Sequence, residues 1–257
     1  MLNVWKKVIK MQIQQALLTT NPYSRPGTKI GKITNIVIHW VGNASSTAIA
    51  NRNYFESLKD KKTYASSHYI VGLQGEIIQC VPENEVAYHA NQANSYSIGI
   101  ENCHPDWNGE FNQMTYNSLI ELCVDICKRY NLDPEVALIR HYDVTKKQCP
   151  LYYVQHLDAW KKLKLDVKVA MNPSKEDTEL YEACRKIILS GINLNINQWK
   201  RLDLIKLNNV QALLTKLGGL DKLVSLQVIG QKELWLTGKY NANHVRSLLI
   251  KYSKTLG

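Results

Sequence analysis

ITNIVIH, residues 33–39, is the run from which the architecture of this chain can be read. β-branched residues dominate it, and such side chains suit a pleated, buried surface better than a helix, so a strand is expected here. A helix over residues 45–58 follows, opened by Ser and Thr of the kind that cap helix N-termini. Further along, residues 69–71 and 76–81 flank Gly72-Leu-Gln-Gly75, a hairpin whose glycines supply the turn. SIGIE at 97–101 is another short strand, residues 113–130 form a long amphipathic helix stopped near Asn131 and Pro134, VALIR at 136–140 is a strand, and residues 154–163 are again helical. Strands interleaved with helices through crossovers of unequal length predict an α/β fold with a mixed central β-sheet flanked by helices. Beyond residue 175 the pattern is helical throughout, which predicts a small all-α C-terminal domain.

The expected organisation is therefore an N-terminal extension at 1–10, an α/β domain at 11–168, a linker at 169–174 and a helical domain at 175–257. Within the last, Gly191, Trp199 and the segment 209–218 loosely echo Gly230, Trp235 and the segment 244–253, as two copies of one helical unit would.

Composition narrows the class. With 45% hydrophobic and 21% charged residues among 257, the chain is a folded protein, and no apolar run approaches the roughly 18 residues of a membrane span. MLNVWKKVIK at the start has neither an apolar core nor a small-residue cleavage site, so it does not read as a secretory signal and a cytoplasmic protein is expected. The six cysteines, at 80, 103, 123, 127, 149 and 184, lack the dense spacing of a disulfide framework. Cys123 and Cys127, four apart on the 113–130 helix, read as core residues. A net charge of +10 suits nucleic acid, anionic lipid or phosphate-bearing teichoic acid and does not choose among them. No Lys/Arg block, zinc-finger spacing or RNP pattern points to nucleic acid.

Metal-ligand residue types end the predicted strands. His39 closes its strand and, taken alone, reads as an ordinary surface or core histidine. His141 and Cys149 lie eight apart in RHYDVTKKQCP, too far for one helix face but within reach of each other when the intervening loop folds back. Imidazole and thiolate are ligands zinc favours, and three protein ligands with an open fourth position is the catalytic arrangement. A lone His-x7-Cys also arises often by accident.

Five stretches in order, NPYSRPGTK (21–29), IVIHWVGN (36–43), SSHYIVGLQGEIIQCVPENEVAYHA (66–90), SIGIENC (97–103) and RHYDVTKKQCP (140–150), resemble the type 2 amidases of phage endolysins, prophage lytic enzymes and Gram-positive autolysins. The resemblance covers about residues 11–165. It implies a fold shared with the peptidoglycan recognition proteins, one Zn2+ per chain held by His39, His141 and Cys149, and cleavage of the amide between N-acetylmuramic acid and L-alanine. It implies further that Glu101 is the general base and acid and that Lys147 steadies the oxyanion. Asp143 is the candidate to orient a ligand, and Trp40, Tyr64, His68 and His89 are candidates to touch substrate, with Trp107 a further groove aromatic. One departure stands out: some relatives carry a tyrosine where this chain has Ser67, so proton transfer should not depend on a tyrosine there. The implied partner is the peptidoglycan of a Gram-positive wall, with teichoic acid or another wall polymer for the C-terminal domain and neither nucleic acid nor membrane insertion. The enzyme would wait in the host cytoplasm until a holin opens the membrane. A non-catalytic recognition module would be expected to lack a ligand such as Cys149, and a muropeptide-recycling amidase has no use for the basic C-terminal domain.

Overall fold

The computed structural model describes residues 11–172, 174–194, 196–202 and 205–256. The expected N-terminal extension lies outside them. Two compact units divide after Met171.

The first unit is built on a mixed six-stranded sheet ordered β1-β4-β3-β5-β2-β6. Its strands are β1 (Ile13–Gln15), β2 (Asn35–Ile38), β3 (Tyr69–Val71), β4 (Ile77–Gln79), β5 (Ser97–Asn102) and β6 (Leu138–Arg140). Only the hairpin pair β3–β4 is antiparallel; the other four pairings are parallel. The central strands are buried on both faces, so the side-chain alternation of a strand sends neighbouring residues into different cores. Ile36, Ile38, Tyr69, Val71, Ile98 and Ile100 meet α2 (Gln113–Tyr130) and α6 (Leu157–Met171) through Leu119, Leu122, Cys123, Ile126, Trp160 and Leu163. Ile70 and Ile78 turn to the opposite face, against Phe55 and Leu58 of α1 (Ala48–Lys61). By the same alternation His39, Ser97, Gly99 and Glu101 belong to the face away from α2 and α6.

Local chemistry sets the ends of these elements. Thr47 caps α1 by accepting from Ala50 N, and Asn112 caps α2 by accepting from Thr115 N. Asn131, in the left-handed region at φ 52°, closes α2. Expected strand 136–140 begins two residues late, because Pro134 at N1 and the Asp133 carboxylate, which accepts from Glu135 N, start a helical turn, α3 (Pro134–Ala137). The short helices α4 (His141–Thr145) and α5 (Leu151–Gln155) follow, so the single helix expected at 154–163 is two helices, α5 and α6. β1 was not anticipated at all; it is short and half exposed, and pairs in parallel with β4.

The second unit is helical among its described residues: α7 (Lys175–Leu189), α8 (Ile196–Trp199), α9 (Val210–Lys216), α10 (Leu220–Ser225), α11 (Lys232–Leu236) and α12 (Ala242–Lys254). α6 reaches Met171, so the connection between units is shorter than the 169–174 expected from sequence. Ser174 caps α7, accepting from Asp177 N, and the capping box of Asn241 and His244 opens α12. Leucines and valines from α7, α9, α10 and α12 enclose Trp199 and Trp235, which stand in the short helices α8 and α11.

Candidate metal centre

β2 and β6 run parallel with Ile38 opposite Arg140, so the residue after each, His39 and His141, leaves the sheet at the same end. The two imidazoles meet with ring centroids 4.7 Å apart. α4 then carries the chain away, and Lys146, left-handed at φ 66°, reverses it. Cys149 returns beside the start of α4, where its carbonyl accepts from Tyr142 N at 2.9 Å. One ligand atom each from His39, His141 and Cys149 lie within 4.8 Å of one another. Cys149 Sγ stands 3.7 Å from His39 Nδ1.

The electrostatics of this cluster are those of uncharged donors packed together. Burial drives the His39 imidazole well below its ordinary pKa, aided by His89, His141 and Lys147. His141 is lowered to about 4 by burial and by the Lys147 cation. Burial pushes the Cys149 thiol up to about 12, with Glu101 adding to the rise, against a hydrogen bond from the Trp40 backbone and the Lys147 cation. Glu101 is raised to about 8 by burial, opposed by Lys147. Its Oε2 is buried without a hydrogen-bond partner. Two neutral imidazoles and one thiol, converging at one point, form a donor set that a divalent cation satisfies, and the nitrogen–sulfur composition fits zinc.

Lys147 is exposed, yet it is felt by His39, His141, Glu101 and Cys149, so its charge overlooks all four. Asn102 fixes the end of β2 by donating Nδ2 to the His39 carbonyl at 2.8 Å.

Other expected site residues take different roles. His68 is fully buried, with Nδ1 accepting from Gly99 N at 3.0 Å and Nε2 facing the Glu85 carbonyl at 2.9 Å, so both ring nitrogens are spent on backbone and neither is left for substrate. His89 is likewise turned inward, its Nδ1 3.1 Å from His39 Nε2. Asp143 touches no ligand: it accepts Arg140 N at 2.8 Å and pairs with the Arg140 guanidinium, capping α4 at its first turn. Trp40 is half-buried and stacks on His104 at 4.6 Å, forming wall rather than open platform. Tyr64 is 63% exposed with its ring edged by Tyr23 and Tyr88, and Trp107 is 66% exposed. Ser67 is buried and donates to the Tyr69 carbonyl at 2.9 Å, a structural task. Sequence reasoning passed over Ser97, Gly99 and Asn102, although the alternation of SIGIEN puts Ser97 and Gly99 on the face of Glu101.

Residues 29–151 match the family model described as N-acetylmuramoyl-L-alanine amidase. A Bacillus licheniformis protein named "Probable N-acetylmuramoyl-L-alanine amidase" is 37% identical over 149 residues, 52% of this chain and 41% of that one. N-acetylmuramoyl-L-alanine amidase CwlL of Bacillus licheniformis is 34% identical over 158 residues, 56% of this chain and 43% of its own length. The chain thus spans less than half the length of these curated relatives. Among solved structures, a mutant endolysin from Bacillus subtilis superposes with a TM-score of 0.52 at 26% identity, covering 62% of this chain and 99% of that one.

Proposed function

We propose, from the premise that residues 29–151 belong to the N-acetylmuramoyl-L-alanine amidase family, that this chain is a peptidoglycan hydrolase cutting the amide between N-acetylmuramic acid and L-alanine. The observation that carries this reading is the convergence of His39, His141 and Cys149 within 4.8 Å beside a carboxyl group, Glu101, that has a buried oxygen without a partner. These three residues would hold one zinc ion. Zinc supplies a Lewis acid that polarises the scissile carbonyl and makes water nucleophilic near neutral pH.

The chain's own residues do the rest. With its pKa raised to about 8, Glu101 sits close to working pH, where a carboxyl group exchanges a proton in both directions with little penalty. Glu101 accepts the proton of the attacking water and returns it to the departing alanine amine. Lys147 puts its cation over the same site, where it steadies the negative charge that develops on the carbonyl oxygen. Tyr64, exposed at the rim of an aromatic cluster, is available to the glycan or the stem peptide.

The helical unit at 175–257 is read as the part that carries the enzyme to the wall, through teichoic acid or another wall polymer. Its excess of basic residues supports attraction to phosphate-bearing polymers. No helix among the described residues is long and apolar enough to cross a membrane. A lytic enzyme of the phage or prophage type, stored in the host cytoplasm and released to the wall, is consistent with this reading.

The test is digestion of purified Gram-positive sacculi with and without a chelator, scoring new N-terminal alanine against new reducing sugar. Chelator-sensitive release of N-terminal alanine is expected. Reducing ends in its place would mean a glycosidase and end the amidase reading.

A further inference from the structure

The surroundings of His89 specify the protons of two neighbouring imidazoles. Ser97 Oγ donates its single proton to the Ala93 carbonyl at 2.5 Å. What it turns toward His89 Nε2, 3.5 Å away, is therefore a lone pair, so Nε2 is the ring nitrogen that bears hydrogen. A neutral imidazole carries one N–H, which leaves His89 Nδ1 an acceptor. Its contact with His39 Nε2 at 3.1 Å is then a bond donated by His39. His39 in turn keeps its lone pair on Nδ1, the nitrogen that faces Cys149 Sγ at 3.7 Å.

His89 is also held still. Asn94 Oδ1 accepts from the backbone N–H of His89 and of Ala90, at 2.9 and 2.7 Å. The ring lies against Gly99, where a Cβ would stand 2.5 Å from His89 Cγ.

We infer that His89, set by Ser97, is a positioning residue that selects the Nε2–H tautomer of His39 and so presents Nδ1 to the metal. The hydrogen-bond partner of a metal-bound histidine commonly fixes its tautomer and orientation, and a carboxylate or carbonyl usually fills that place; here a second imidazole does so. The inference rests on the zinc reading above, but its first readout needs no zinc.

Nitrogen NMR of the metal-free protein reads the tautomer of His39, and competition against a chromophoric chelator reads zinc affinity. In the parent chain His39 should be Nε2–H alone. His89→Leu, which has no acceptor, should give a tautomer mixture and bind zinc about 10–100-fold more weakly. His89→Gln, whose amide oxygen accepts where Nδ1 did, should recover most of both. Should His89→Leu fail to fold, Ser97→Ala keeps the ring while removing its anchor, and a smaller change in the same direction is expected. The inference is overturned if His39 stays entirely Nε2–H in the Leu and Ala variants, or if Gln and Leu lose zinc affinity equally. A parent chain with the expected tautomer that retains no zinc would overturn the metal reading while upholding the tautomer selection.

Discussion

Gly99→Ala tests how tightly the candidate centre is packed from behind. The added Cβ would sit 2.5 Å from His89 Cγ and 2.8 Å from its Cδ2 and Nδ1. Carbon atoms rest about 3.5–4.0 Å apart, so the ring has to retreat by about 1 Å. It has little room: Asn94 anchors its backbone, and the 3.1 Å bond to His39 can lengthen by only about 0.4 Å before it ceases to be a hydrogen bond. Forcing an extra methyl into a filled core costs about 1–3 kcal/mol, and at about 2–4 °C per kcal/mol for a unit of this size the first thermal transition should fall by about 2–12 °C. Calorimetry on four chains measures it: parent, Gly99→Ala, His89→Ala and the double variant. In the His89→Ala background the clash has no partner, so the alanine should cost almost nothing there, a coupling of about 1–3 kcal/mol. A Gly99→Ala chain that melts with the parent, or that loses as much stability without the His89 ring as with it, would refute the steric argument.

Other expectations concern the chemistry and the surrounding fold. Cys149→Ala should lose retained zinc, measured by metal analysis after gel filtration, together with wall lysis; full retention would remove the thiolate from the ligand set. Glu101→Gln should keep its zinc yet lose about 10²–10⁴-fold in turnover on sacculi, and a fully active variant would exclude Glu101 from proton transfer. Lys147→Met should lower turnover by about 10²–10³-fold with zinc content unchanged, and an undiminished rate would rule out oxyanion stabilisation by this cation. Glu83 offers a pH test: burial pushes its carboxyl up, but bonds from Arg129, Tyr69 and Tyr130 outweigh burial and hold it below 4.5. A carboxylate lowered in the folded state contributes stability above its unfolded pKa and loses it as pH falls, so urea titrations should show Glu83→Gln less stable at neutral pH and less sensitive to acid below about pH 5. Parallel acid profiles for the two chains would contradict that assignment.

Much of the architecture could be read from short-range pattern, because pattern and packing agree there. The 113–130 helix carries its own caps and apolar stripe, and the 69–81 hairpin its own turn. Where reading failed, a local signal lost to a tertiary one or had been overlooked. Ile13–Gln15 is a strand only because β4 lies beside it, and the run at 136–140 starts as a helical turn because Pro134 and Asp133 outweigh the β-preference of Val136.

By itself the sequence determined which donors exist and which strands deliver them: His39 ends one run, His141 follows another, and Cys149 lies one loop beyond. Strand periodicity and chain connectivity act over a few residues, so they are visible in one dimension. Tertiary structure alone decided which histidine does what. His39, His68 and His89 are alike as letters, but the sheet turns the nitrogens of His68 to backbone, puts His89 behind His39 and leaves His39 Nδ1 beside the sulfur of Cys149. Those roles depend on distances between segments 50 and 110 residues apart, set by how β2 and β5 pair and by which side chains share a face. The burial that makes the Cys149 thiol and the Glu101 carboxyl reluctant to ionise exists only once both cores have closed around the sheet.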